Sequence, residues 1–117
     1  MECGEEQRAI AEKYLDQMIA ADAAKDYDAF LVPFDPTEQK DSDFTKEYFD
    51  ADADEMLDEA GGYKSREFLC CINGDDSSDA MCLRFVWKGT YEKKEYIIIV
   101  GIHRRDGNWY AHEGMWH

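Results

Sequence analysis

Positive charge is what this chain has least of: 13 lysines and arginines stand against 27 aspartates and glutamates, a formal net charge of −14 over 117 residues. A surface of that sign repels the nucleic acid backbone and anionic lipid, and it attracts basic partners or keeps the chain dispersed in water. Long apolar runs are missing too, so no segment reads as a membrane span. The opening Met1-Glu2-Cys3-Gly4-Glu5-Glu6 has neither a basic start nor an apolar stretch, and does not read as a signal peptide. These absences lead to the expectation of a cytoplasmic protein whose four cysteines are reduced. No two cysteines are spaced C-x-x-C, which removes support for zinc or dithiol chemistry. There is no phosphate-cradling glycine loop, no nucleophile elbow and no metal-ligand pattern of histidines. Neither a cofactor nor a metal is expected.

What is present suits a folded domain: 44% apolar and 14% aromatic residues, enough for one core at this length. No repeat, low-complexity tract or linker divides the chain, so residues 1–117 read as a single domain. The acidic excess is lopsided. Met1 to Tyr63 carries 19 acidic and 5 basic residues, whereas Lys64 to His117 carries 8 of each.

The first half has helical periodicity. Ile10, Tyr14, Leu15, Met18 and Ile19 form one apolar stripe over Glu5 to Ala24, with Glu12, Asp16 and Asp22 on other faces. Asp26 is placed to cap a short second helix, Tyr27 to Val32, which Pro33 helps to end. Asp35-Pro36 and the polar run Thr37 to Asp43 read as a loop. Thr45 then caps a third helix, with Phe44 and Phe49 in the two positions of a hydrophobic staple and Glu47 in the first turn. Phe49, Ala53, Met56, Leu57 and Ala60 carry its stripe to a stop at Gly61-Gly62. Within it, Asp50-Ala51-Asp52-Ala53-Asp54-Glu55 looks like the opening of a calcium loop. Glu55, however, stands where such a loop needs glycine, and Gly61 where it needs glutamate. The run reads as a solvated face.

Beyond Lys64 the apolar period drops to that of strands. Glu67 to Asn73, Ala80 to Lys88, Lys94 to Arg104 and Trp109 to Trp116 are the predicted strands, with a turn over Gly74 to Asp79 and a type I′ hairpin at Asp106-Gly107. Met81, Leu83, Phe85 and Trp87 share one face of the second strand; Cys82, Arg84, Val86 and Lys88 share the other. If Asn73 pairs with Ala80, Cys71 lies opposite Cys82, as two buried thiols or as a redox pair. Ile97, Ile98, Ile99, Val100 and Ile102 make the third strand apolar on both faces. Such a strand needs two covers, the helices on one side and the sheet of a second subunit on the other. The fold class is α+β, with N-terminal helices packed on a curved antiparallel meander.

Through the helix pair around Asp26-Tyr27-Asp28, the start Phe44-Thr45-Lys46-Glu47-Tyr48-Phe49 and the hairpin ending Arg105-Asp106-Gly107-Asn108-Trp109, the whole chain resembles the nuclear transport factor 2-like, or cystatin-like, superfamily. The resemblance implies a cone whose mouth lies between the helices and the concave sheet, and a dimer formed through the sheet. That superfamily includes isomerases, dehydratases and polyketide-cyclase-like enzymes, together with proteins that only bind ligands or other proteins, immunity proteins among them. Its enzymes commonly place an Asp or Glu, often with a His or Tyr, inside the cone. The candidates here are His103, His112, Glu113, Tyr14, Tyr110 and Arg84. Fold alone does not choose among these activities.

Alternation along the last strand puts Tyr110, His112, Gly114 and Trp116 on one face, an aromatic wall with a histidine fit for proton transfer at its centre. Glu113 points the other way. Phe85 and Trp87, with Met81 and Leu83, either line the cone or form a core row under the first helix, and Tyr14 can turn its hydroxyl into the same space. The expected ligand-binding set is Tyr14, Phe85, Trp87, Tyr110, His112 and Trp116. His103, a strand-end residue beside Arg104 and Arg105, is expected to be exposed. Two functions stay open. One is a small-molecule-binding protein, with acid–base activity if a titratable group enters the cavity. The other is an acidic module of immunity or inhibitor type that covers a basic protein partner. A homodimer and a small apolar ligand are the expected partners; nucleic acid and membrane are not.

Overall fold

The computed structural model describes residues 3–36, 44–76 and 79–117. Helix α1 spans Glu5–Ala24, and Glu5 and Glu6 place negative charge on the unpaired N–H groups of its first turn. Of the expected stripe, Leu15 and Met18 are fully buried and are joined by Ala11 and Ala21, while Ile10, Tyr14 and Ile19 pack around the edge. Lys25 stops the helix in the left-handed conformation at φ 52°. Asp26 then caps α2 (Tyr27–Leu31), accepting from the Ala29 N–H at 3.1 Å. Thr45 caps α3 (Lys46–Ala60), accepting from the Tyr48 N–H at 3.1 Å. The Phe44–Phe49 staple is present, with ring centroids 6.1 Å apart. It grows into an aromatic cluster with Tyr27 and Phe30 that joins α2 to α3. The expected loop from Thr37 to Asp43 lies outside the described residues.

The second half is a four-stranded antiparallel sheet in chain order, β1 (Tyr63–Asp76), β2 (Asp79–Tyr91), β3 (Glu95–Arg105) and β4 (Asn108–Trp116). It does not close into a barrel, and the architecture is the expected α+β. Asp106 and Gly107 both take positive φ, 52° and 81°, as a type I′ hairpin requires. Bulges interrupt the β1–β2 ladder and the β3–β4 ladder, and each adds bend and twist. Leu83, Phe85, Trp87, Ile98, Val100 and Ile102 form the buried, helix-facing layer. Phe85 and Trp87 therefore belong to the core row.

Helix α1 is held on that layer by charge as well as by packing. Arg66 of β1 donates to Glu12 Oε2 at 2.6 Å and to Asp16 Oδ1 at 2.8 Å, while the Trp87 indole donates to Glu12 Oε1 at 3.1 Å. Burial alone would raise the Glu12 pKa; the hydrogen bonds from Arg66 and Trp87 outweigh it and hold the carboxyl below its ordinary value. At β4 a Cβ on Gly114 would come within 2.8 Å of the Met18 sulfur, so the missing side chain lets the helix lie close. The opposite face of the sheet is covered in part, with Cys82, Val86 and His103 buried and other side chains exposed. Ile72, Ile97 and Met115 all point there, at 53%, 47% and 44% exposure. No described helix is long and apolar enough to cross a membrane.

Two cysteine expectations fail. Cys3 is bonded to Cys71, across a separation of 68 residues and with Cα atoms 6.1 Å apart, so the cysteines are not all reduced. Asn73 pairs with Leu83 instead of Ala80, because the strands continue to Asp76 and Asp79 and a bulge intervenes. Cys71 consequently stands opposite Phe85, and Cys82 opposite Gly74. A cross-link closing so long a loop typically adds about 2–4 kcal/mol by restricting the unfolded chain. Cys3→Ser should lower the unfolding free energy by about that amount, and dithiothreitol should bring the wild type down to the same value without affecting the variant. Denaturant melts measure this; a variant as stable as the untreated wild type would mean that the bond does not form.

Candidate functional site

The aromatic cluster of α2 and α3 does not reach the sheet everywhere. Between it and the edge strand β4 lies a cavity of about 1080 Å³, at the upper end of small-molecule sites. Phe30, Phe34, Phe44 and Phe49 form its helical wall, and Tyr96 and Trp116 stand on the sheet side. Titratable groups border it from three elements: Asp22 of α1, Asp52, Glu55 and Glu59 of α3, and His112 and Glu113 of β4.

Asp22 is the chemically distinctive member. Burial first, and then the neighbouring Asp52 charge, push its carboxyl up to about 7 from the ordinary 3.8. A carboxyl poised there can both donate and accept a proton at neutral pH. Trp116 is fixed by donating its indole N–H to the Tyr91 hydroxyl at 2.8 Å, and Tyr91 meets Tyr96 edge-on with centroids 5.3 Å apart. Burial pushes the Tyr91 hydroxyl up to about 12 despite the Trp116 hydrogen bond, with Asp22 adding to the rise, so it stays protonated.

His112 owes its position to a bulge. Glu113 pairs with Gly101 and Ala111 with Ile102, which leaves His112 as the extra residue between two ladder partners. Bulges re-aim side chains in this way. The same bulge breaks the expected alternation. Gly114 and Trp116 stay on the helix-facing side opposite Val100 and Ile98, while Tyr110 falls opposite His103 on the other face.

Of the six expected ligand-binding residues, His112 and Trp116 line the cavity. The other four are engaged elsewhere. Tyr14 donates its hydroxyl to the Trp109 carbonyl at 2.8 Å. Phe85 and Trp87 are buried in the core, and Tyr110 packs edge-on against His103. Glu113 borders the cavity, but its carboxylate is paired with Arg84. The side chain of Met81 lies outside the described residues.

His103 is fully buried, contrary to the exposure expected of it. Its Nε2 lies 2.9 Å from Asp35 Oδ2, and Arg105 Nε lies 2.6 Å from the same oxygen. Asp35 is drawn inside because its segment joins the edge of β4, with Ala111 donating to the Pro33 carbonyl at 2.8 Å. The rings of His103 and His112 sit 5.0 Å apart. Among the described residues, no group of three or more His, Cys, Asp or Glu side chains is arranged to hold a metal ion. The calcium-like run is helical, and its carboxylates diverge: Asp50 pairs with Lys46, Asp54 with Lys25, and Asp52 borders the cavity. No family model, no curated protein and no solved structure matches the chain.

Asp22 binds its proton more tightly in the folded chain than in the unfolded one. Its contribution to stability is therefore full below the unfolded carboxyl value of 3.8 and is lost as pH rises toward about 7. Asp22→Asn should raise stability at pH 8 by on the order of 1–3 kcal/mol and change it little near pH 4. Melts at the two pH values test this; an equal effect at both would return the carboxyl to its ordinary range.

Proposed function

We propose that the chain is a small-molecule-binding protein whose ligand occupies the cavity between the helices and the concave sheet, with acid–base capacity supplied by Asp22 and His112. The supporting observation is the cavity itself, an aromatic enclosure entered by a partly buried carboxyl poised near neutrality. The resemblance to the nuclear transport factor 2-like superfamily supports the same reading, since the implied cone opens between helices and sheet. Part of the acidic excess, read from the sequence as a docking face for a basic protein, borders this cavity through Asp52, Glu55 and Glu59. That favours ligand binding over partner binding.

The uncharged fluorophore N-phenyl-1-naphthylamine should bind with saturable enhancement at one site per chain. Met56→Trp, which adds bulk at a half-buried position on the cavity wall, should weaken its binding about tenfold or more with little change in melting temperature. Enhancement that never saturates, or that Met56→Trp leaves intact, removes the cavity from the account.

A homodimer completes the reading. Exposed apolar side chains on a sheet mark an interaction surface, and Ile72, Ile97 and Met115 supply them on the face away from the helices. Sedimentation equilibrium should show a dimer that Ile97→Lys converts to monomer; a wild type monomeric at high micromolar concentration rejects the interface. The Cys3–Cys71 bond favours an oxidising compartment, where the reduced cysteines expected from the sequence pointed to the cytoplasm.

A further inference from the structure

Among the described residues, those bordering the cavity include five carboxylates, Asp22, Asp52, Glu55, Glu59 and Glu113, and neither lysine nor arginine. Glu113 is paired with Arg84. Among the described residues, no ion pair engages the other four. Several carboxylates elsewhere are neutralised. Glu12 and Asp16 are met by Arg66, Asp35 by Arg105 and His103, and Asp54 by Lys25. Beside this apolar recess, negative charge from α1 and α3 gathers without an ion-pair partner among the described residues.

The ligand's own charge follows from that arrangement. An anion would meet repulsion from several carboxylates, of which Asp22 is partly buried and so less screened by water than the exposed Asp52, Glu55 and Glu59. A neutral molecule would leave Asp22 desolvated and next to Asp52, its burial unrelieved. A cation offsets both effects, because it pairs with Asp22 and is attracted to the aromatic lining, Trp116 included; the Tyr96 ring already holds the Lys94 ammonium 4.6 Å from its centroid.

We propose that the ligand is a small organic cation, an amine or quaternary ammonium group on an apolar or aromatic body, with Asp22 as its counter-ion. This rests on the cavity being a ligand site, as argued above. The cation binds the ionised form of Asp22, so binding releases a proton and tightens as pH rises through about 7.

Calorimetry on the intact, oxidised chain with benzylammonium, benzyl alcohol and benzoate tests the proposal, since the three probes share a body and differ in charge. Benzylammonium should bind at least about tenfold more tightly than benzyl alcohol, and benzoate more weakly than either. The benzylammonium affinity should fall between about pH 8 and pH 6, while that of benzyl alcohol stays level. Asp22→Asn should bring benzylammonium and benzyl alcohol within about threefold of each other. That substitution alters one of 27 acidic residues, so a preference due to the diffuse field of the protein would survive it. Should Asp22→Asn fail to fold, Asp52→Asn at an exposed position gives the same comparison, with a loss of about threefold for the cation alone. Equal affinities for cation and alcohol, or a preference that persists in the variant, overturn the cation and leave the cavity standing. Absence of binding by all three probes overturns both.

Discussion

The seating of α1 on the sheet is the contact from which the rest of the molecule follows. Leu15 and Met18 enter the same buried cluster as Ile98, Val100 and Ile102, and removing such side chains from water is the main favourable term in folding. Gly114 lets the helix approach β4, and the Glu12–Arg66–Trp87 hydrogen bonds fix its position along the sheet. With Glu12 tied to the sheet, Asp22 near the other end of the same helix is carried to the cavity. The Cys3–Cys71 bond reinforces the anchored end.

Charge is distributed by the same scaffold. Exposed pairs such as Lys46–Asp50 contribute little, because water and salt screen them. Arg66 is largely covered, and Asp35 is fully enclosed between His103 and Arg105, so losing one partner there would strand a buried charge. Asp22 stands apart from both groups. Its desolvation is not relieved by a cation, and the neighbouring charge that acts on it, Asp52, has the same sign. Enzymes and binding proteins keep such groups where a ligand supplies the missing interaction.

Much of the scaffold was legible because the signals are local. The Thr45 cap, the Phe44–Phe49 staple and the Asp106-Gly107 hairpin each depend on a few adjacent residues, and each forms where the sequence places it. The site was legible only in part. Trp116 and His112 border the cavity, but Tyr110 does not, since one bulged residue moves everything before it to the other face. Asp22 is an ordinary polar position on a helix until α3 and β4 close around it. Nor does anything near His103 reveal that Asp35, 68 positions earlier, is its partner.

By itself, then, the sequence determined the elements: where helices start and stop, where the period changes, and that the third strand is apolar on both faces. Those features follow from backbone geometry and short-range sterics. Only the tertiary structure decided which carboxyl is desolvated, which cysteines meet, and which aromatic rings enclose space instead of filling it. Each of these depends on the distance between residues far apart in the chain, and that distance is set by packing and register.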